Sequence, residues 1–275
     1  MRRDIIVFDI ETVADAAASR RTLGLPNLTD TEARDALSDY FLEKTDGRND
    51  FPRQPFHQVV AIAYAHFCVE SGENGVELIV KKIAAGGDEA SDEHALLQGF
   101  FHLIEKRAPT LVTFNGRGFD VPVMKYRAMV HGISTPRWFS EGDKWNNYDS
   151  RYGKDYHLDL LEALSDYGAS ARCSMHEIAT VFGVPGKLDV AGDNVRAMFE
   201  NNELAAIRNY CETDVCTTAL IYLRWQYFNG SLSEPAYART MLGLRNYIQE
   251  ESNTRSHMKA FLEAWDAFTE TKEKS

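Results

Sequence analysis

The sequence predicts an α/β protein: a mixed five-stranded sheet flanked by helices, with a helical extension at its C-terminal end. Three observations carry that expectation. Short runs of β-branched and aromatic residues recur through the first 160 positions. Two of them meet at Asn74-Gly75, a dipeptide that favours a tight hairpin and so an antiparallel pair. Stretches with helical apolar spacing separate the others, which places helices on the faces of the sheet.

The first run, Ile5-Ile6-Val7-Phe8-Asp9-Ile10-Glu11-Thr12, reads as a buried central strand ending in two carboxylates. Residues 14–56 follow as a polar, irregular excursion. Within it, Thr29-Asp30-Thr31-Glu32 forms a capping box for a helix over 30–44, with Ala33, Leu37, Tyr40 and Phe41 as its apolar stripe. Residues 59–67 and 76–83 are the antiparallel pair, ended by Gly86-Gly87. Ser91 or Asp92 caps a helix carrying Leu96, Leu97, Phe100, Phe101 and Ile104. Residues 110–114 form a short buried strand, followed by a turn, then a helix from Asp120. Residues 134–154 read as a long loop containing Trp138 and Trp145, each readable as a stacking platform for single-stranded bases or, more readily, as an anchor of the loop in the core. Residues 157–160 form an edge strand. Short helices are expected at 175–182 and 195–199, a long helix at 203–227 ended by Gly230, and a helical remainder over 233–269. The order of strand, antiparallel pair, helix, strand and helix is RNase H-like. It divides the chain into a main domain at 1–228, with a helical insertion at about 14–57, and a helical extension at 229–275.

Composition narrows the function. The chain has 275 residues, 44% of them hydrophobic, enough for one large domain. Its formal net charge is −11. That counts against a protein gripping nucleic acid by diffuse phosphate attraction, but not against an enzyme that meets phosphate through bound cations, which reverse the local sign. The four cysteines form no CxxC pair, and Cys211 and Cys216 read as buried free thiols of a reduced, cytoplasmic protein. The N-terminal run lacks a signal-peptide cleavage site, and no apolar stretch is long enough to span a membrane.

Strand side chains alternate, so Asp9 and Glu11 share a face. Two like charges at the end of a buried strand repel and lose hydration, which a divalent cation relieves; two carboxylates wet at a strand's end are the plain alternative. Asp120 is a third carboxylate, just past a buried strand, where a helix cap is equally reasonable. Asn115 is either a turn former or a polar group beside the site. In Tyr210-Cys211-Glu212-Thr213-Asp214, positions 210 and 214 share a helix face. Ile207, Cys211, Thr218, Ile221 and Trp225 lie on or near it, so it is expected to be buried, with Glu212 facing solvent. Four carboxylates from separate elements suit a pair of cations that activate water and steady a leaving oxygen.

Asp9-Ile10-Glu11, Asn115…Phe119-Asp120 and Tyr210-x-x-x-Asp214, in that order, resemble the three motifs of DEDDy 3′→5′ exonucleases. The stand-alone family similar to the proofreading domain of family B DNA polymerases fits best. His157-Leu158-Asp159-Leu160 and the Gly186-Lys187…Gly192…Val195 stretch resemble it too. The resemblance covers the chain to about Trp225, and Asn209 stands where the His-type relatives carry histidine. It implies two divalent ions, Mg²⁺ or Mn²⁺, held by Asp9, Glu11, Asp120 and Asp214, with Tyr210 positioning the water. It further implies that Ile10, Thr12, Asn115, Phe119 and Lys187 meet the substrate, a nucleic acid with a free 3′ end, with single-stranded DNA the expected form. Lys187 is also readable as an ordinary surface lysine, and His57, His157 and Asp159 as structural residues. Three rivals stand beside this reading. A haloacid-dehalogenase-like phosphatase would need a second Asp in place of Glu11. A catalytically silent binding domain has no use for the quartet. An RNA-trimming enzyme of the same fold differs only in how its pocket treats the 2′-hydroxyl.

Overall fold

A computed structural model describes residues 4–72, 75–88, 90–186 and 194–273. In chain order its elements are β1 (Asp4–Ala14), α1 (Ala16–Leu23), α2 (Asp30–Lys44), β2 (His57–Gly72), β3 (Gly75–Ala85), α3 (Glu93–Arg107), β4 (Thr110–Thr113), α4 (Asp120–Val130), α5 (Pro136–Ser140), β5 (His157–Asp159), α6 (Leu160–Leu164), α7 (Met175–Phe182), α8 (Val195–Glu200), α9 (Leu204–Phe228), α10 (Glu234–Glu251) and α11 (Ser256–Glu273). The five strands form one mixed sheet in the order β3-β2-β1-β4-β5. β1 is central, antiparallel to β2 and parallel to β4. The Asn74 half of the expected hairpin dipeptide, Lys187 and Gly192 lie outside the described residues.

The alternation of β1 sorts the two cores. Ile5 and Val7 join α9 on one side, in a cluster that includes Cys211, Val215, Leu220, Leu244 and Phe261. Ile6, Phe8 and Ile10 face the other way, among Leu97, Phe100, Ile104, Val123 and Met124 of α3 and α4. By the same parity Asp9 and Glu11 point toward α9.

Sequence signals account for most ends. Thr29 and Glu32 form the expected capping box of α2. Asp92 caps α3, its carboxylate accepting from the Ala95 amide at 2.8 Å. The excursion and the long loop hold helices that apolar spacing did not reveal. α1 has the polar composition Ala-Ala-Ala-Ser-Arg-Arg-Thr-Leu and is fixed by its ends, Asp15 accepting from Ala18 and Gly24 at φ +69°. α5 in the loop, and α6 directly after β5, have five residues each, too few to display a period.

The C-terminal remainder is a helical hairpin laid on β3. The Thr240 hydroxyl accepts from the Leu78 amide at 3.2 Å, and the Tyr247 hydroxyl from the Ile83 amide at 3.0 Å. Glu212 corrects the expectation of a solvent-facing acid, being only 6% exposed. Its carboxylate accepts from the Ala85 amide at 2.5 Å, from Arg255, and from His257 Nε2 at 2.7 Å. The sheet covers one side of α9 and the hairpin another, so no face at that level reaches water. A second buried network lies near the exit of β1. Arg127 donates to Glu93 at 2.7 Å and to Asp15 at 2.6 Å, and Glu93 also accepts from the Val59 amide at 2.7 Å.

Candidate active site

The cleft opens where β4 stops. β1 pairs with β4 only from Ile5 to Val7, so Asp9 and Glu11 project beyond the carboxyl end of its parallel neighbour. A register shift between Glu11 and Thr12 re-aims the strand directly after the second acid. The turn after β4 delivers Asp120. Asn115 stands at φ +66°, and a Cβ on Gly116 would lie 2.5 Å from Thr113, so this turn requires glycine there. The Asp159 carboxylate holds the turn by accepting from the amides of Asn115 at 3.0 Å and Arg117 at 2.9 Å. It also caps α6 through the Leu161 amide at 3.0 Å. Asp159 is therefore structural, as expected.

Asp120 is the first residue of α4, with Phe119 at the cap position. Its carboxylate turns to the Ile10 amide, accepting at 3.2 Å. Burial pushes the Asp120 carboxyl up to about 7, and the charge of Asp159 adds to this, while hydrogen bonds from its own amide, from Ile10 and with Asp9 pull the other way. From α9 come Asp214, 3% exposed, and Tyr210, 5% exposed, one turn apart.

The cleft has a volume of about 430 Å³, and Asp9, Glu11, Asp120 and Asp214 all line it, with Ile10, Asn115 and Phe119 beside them. The opposite wall is Arg172, Cys173, Ser174 and Met175, at the start of α7, and the sequence reading did not single these out. Ser174 and Glu177 form a capping box there, a signal that could have placed the wall. Cys211 is the buried free thiol expected, but its place beside the acids was not foreseen. Its Sγ lies 3.4 Å from the Asp9 carbonyl oxygen, and its ligand atom and those of Asp9 and Glu11 all lie within 4.8 Å of one another. Burial pushes this thiol well up, and the charges of Asp9, Glu11 and Asp214 push it further. Cys211 is thus held as a neutral thiol, leaving a donor set of hard carboxylate oxygens. Such a set fits divalent cations like Mg²⁺ or Mn²⁺.

Some expected residues stand elsewhere. Thr12 is not among the residues lining the cleft. Its hydroxyl lies 2.9 Å from His57 Nδ1, while His57 Nε2 lies 2.9 Å from the Pro52 carbonyl oxygen. The His57 ring packs edge-on against Phe119 at 4.9 Å, so Thr12 reaches the cleft only through that pair. Tyr210 is not among the lining residues either. Trp138 is buried and stacked on Tyr148 at 4.7 Å, the expected anchor. Trp145 departs from the anchoring reading: its ring is 78% exposed, because the turn is closed by the Asp143 carboxylate accepting from the amides of Trp145 at 2.7 Å and Asn146 at 2.9 Å and has no need of the indole.

Fold and cleft together define an RNase H-like α/β domain with four acidic side chains gathered at the carboxyl end of its central strand. Residues 49–265 match the family of predicted 3′-5′ exonucleases related to the exonuclease domain of PolB, and the chain belongs to that family. The matched segment contains Asp120, Tyr210 and Asp214 and runs into α11; Asp9 and Glu11 precede it. Among solved structures, the family B DNA polymerase of the hyperthermophilic archaeon Pyrobaculum calidifontis is similar over 82% of this chain, with a TM-score of 0.50 and 17% identity. The chain spans 25% of that polymerase. A product-bound exonuclease I is similar over 82% of this chain and 47% of its own, with a TM-score of 0.33 and 11% identity. The comparison with curated proteins found no match.

Proposed function

We propose that the protein is a metal-dependent exonuclease that removes nucleoside 5′-monophosphates from the 3′ end of nucleic acid, single-stranded DNA being the substrate. One observation carries the reading: Asp9, Glu11, Asp120 and Asp214, drawn from β1, α4 and α9, line one cleft. Asp9, Glu11 and Asp214 would hold one divalent cation, and Asp9 with Asp120 a second. When bound, two such ions supply a water of lowered pKa and neutralise charge on the phosphate and its leaving oxygen.

The chain's own side chains do the rest. Ile10 and Phe119 offer an apolar seat for the terminal sugar and base, and Asn115 a polar contact at the cleft mouth. Tyr210, one turn from Asp214, orients the attacking water through its hydroxyl. A phenol has an ordinary pKa near 10, so Tyr210 is a positioning group rather than a free base at neutral pH.

The test is a 5′-labelled single strand incubated with Mg²⁺ or Mn²⁺. The expected result is a ladder shortened one nucleotide at a time from the 3′ end, abolished by Asp9→Ala. Full activity in Asp9→Ala would remove the site from the reaction. Matched DNA and RNA strands assayed side by side fix the sugar preference.

A further inference from the structure

Resting on the reading above, we propose that a strip of arginine and tyrosine leading out of the cleft is the track for the single strand upstream of its 3′ end. The strip begins at Arg172, which lines the cleft and whose side chain is 54% exposed. Its guanidinium lies 3.9 Å from Glu162 Oε1, the atom that also takes Arg151 at 2.8 Å. The second oxygen of Glu162 faces Arg117 at 3.7 Å. Three guanidiniums thus converge on one carboxylate in a chain whose net charge is −11. Of the other nearby acids, Asp159 is taken up by backbone amides and Asp149 pairs with Lys125. Asp166 is exposed at the far end.

Arg151 continues the strip. It donates to the Tyr167 carbonyl oxygen at 3.3 Å and lies 5.7 Å over the ring of Tyr152. Tyr152 and Tyr167 meet at 4.8 Å between centroids, yet Tyr152 remains 68% exposed. The backbone that presents Tyr167 is strained. Asp166 at φ +48° and Tyr167 at φ +56° are consecutive non-glycine residues in the left-handed region, which L side chains rarely adopt. A purely structural turn gains little by holding an aromatic edge at the surface in this way. A cluster of guanidiniums running into a largely exposed tyrosine suits the phosphates and an unstacked base of a single strand. A duplex, its bases already stacked and paired, offers no faces to such rings.

Binding and cleavage are measured separately. Fluorescence anisotropy with a labelled thymidine oligonucleotide of about 20 nucleotides, in Ca²⁺ without turnover, reads the track alone. Tyr152→Ala and Arg151→Gln are each expected to weaken binding about tenfold. Phe228→Ala, removing a still more exposed aromatic on α9, is expected to match wild type. On the same strand with Mg²⁺, the two track variants should raise KM while kcat stays near wild type. Equal affinity of wild type, Tyr152→Ala and Arg151→Gln overturns the track. Loss of binding in the variants, with no hydrolysis by wild type, supports the track and overturns the exonuclease reading instead.

Discussion

Two sets of buried acids in this molecule meet opposite surroundings. Glu93, Asp15 and Glu212 lie against named donors: Arg127 bridges the first two, and Arg255, the Ala85 amide and the His257 ring, held neutral by burial, surround the third. In the cleft, acid faces acid. Asp120 shares a hydrogen bond with Asp9, and the Asp9 and Glu11 carboxylates lie within 4.8 Å of each other. The first arrangement is complete without a ligand and fastens elements together. On the proposed function, the second is where a bound cation would relieve repulsion, and its worth would be realised in binding rather than in folding.

Substitutions in each set sharpen that contrast. Asp120→Asn should lower exonuclease turnover by about 10³-fold, measured on a labelled strand. The same change should leave urea stability at pH 8 equal or higher. Asp120 has a folded-state pKa of about 7, above its ordinary value of 3.8, so the ionised carboxyl is disfavoured in the folded chain at that pH. A clear loss of stability would make Asp120 a scaffold residue. Arg127→Ala should do the reverse, costing about 3–5 kcal/mol in urea unfolding because Glu93 and Asp15 stay buried without it. Retained stability there would break the comparison from the other side.

Smaller effects refine it. Tyr210→Phe should reduce kcat about 10²-fold while Mn²⁺ affinity, followed by calorimetry, stays near wild type. Unchanged turnover would take Tyr210 out of the mechanism. The cleft should also exchange protons for metal. Below pH 7 the Asp120 carboxyl holds a proton that a cation must displace, so Mn²⁺ affinity should fall up to about tenfold per pH unit below 7. Calorimetry in two buffers of different ionisation enthalpy reads that proton release directly, and its absence would separate Asp120 from the metal.

Much of this was legible in the sequence, for identifiable reasons. β1 announces itself through Ile5 to Phe8, and α2 and α3 through their caps, since these signals are local. Strand alternation put Asp9 and Glu11 on one face and the i, i+4 spacing put Tyr210 with Asp214, whereas Asp120 alone read equally well as a helix cap and joined them through the resemblance to the ordered exonuclease motifs. Glu212 was misjudged because helix-face reasoning assumes one wet side, and its partners Arg255 and His257 lie more than 40 residues further on. The Arg127 network was invisible for a related reason: it joins α4 to residues 34 and 112 positions away. The wall at Arg172–Met175 is likewise brought to the cleft by tertiary packing.

The hairpin on β3 has a further consequence. By filling the outward amides of Leu78 and Ile83 with hydroxyls, Thr240 and Tyr247 blunt what would otherwise be an adhesive sheet border. A chain cut after Gly230 would bare that border and the apolar floor beneath it. It should then self-associate, seen as light scattering that grows with concentration, well before any question of catalysis arises.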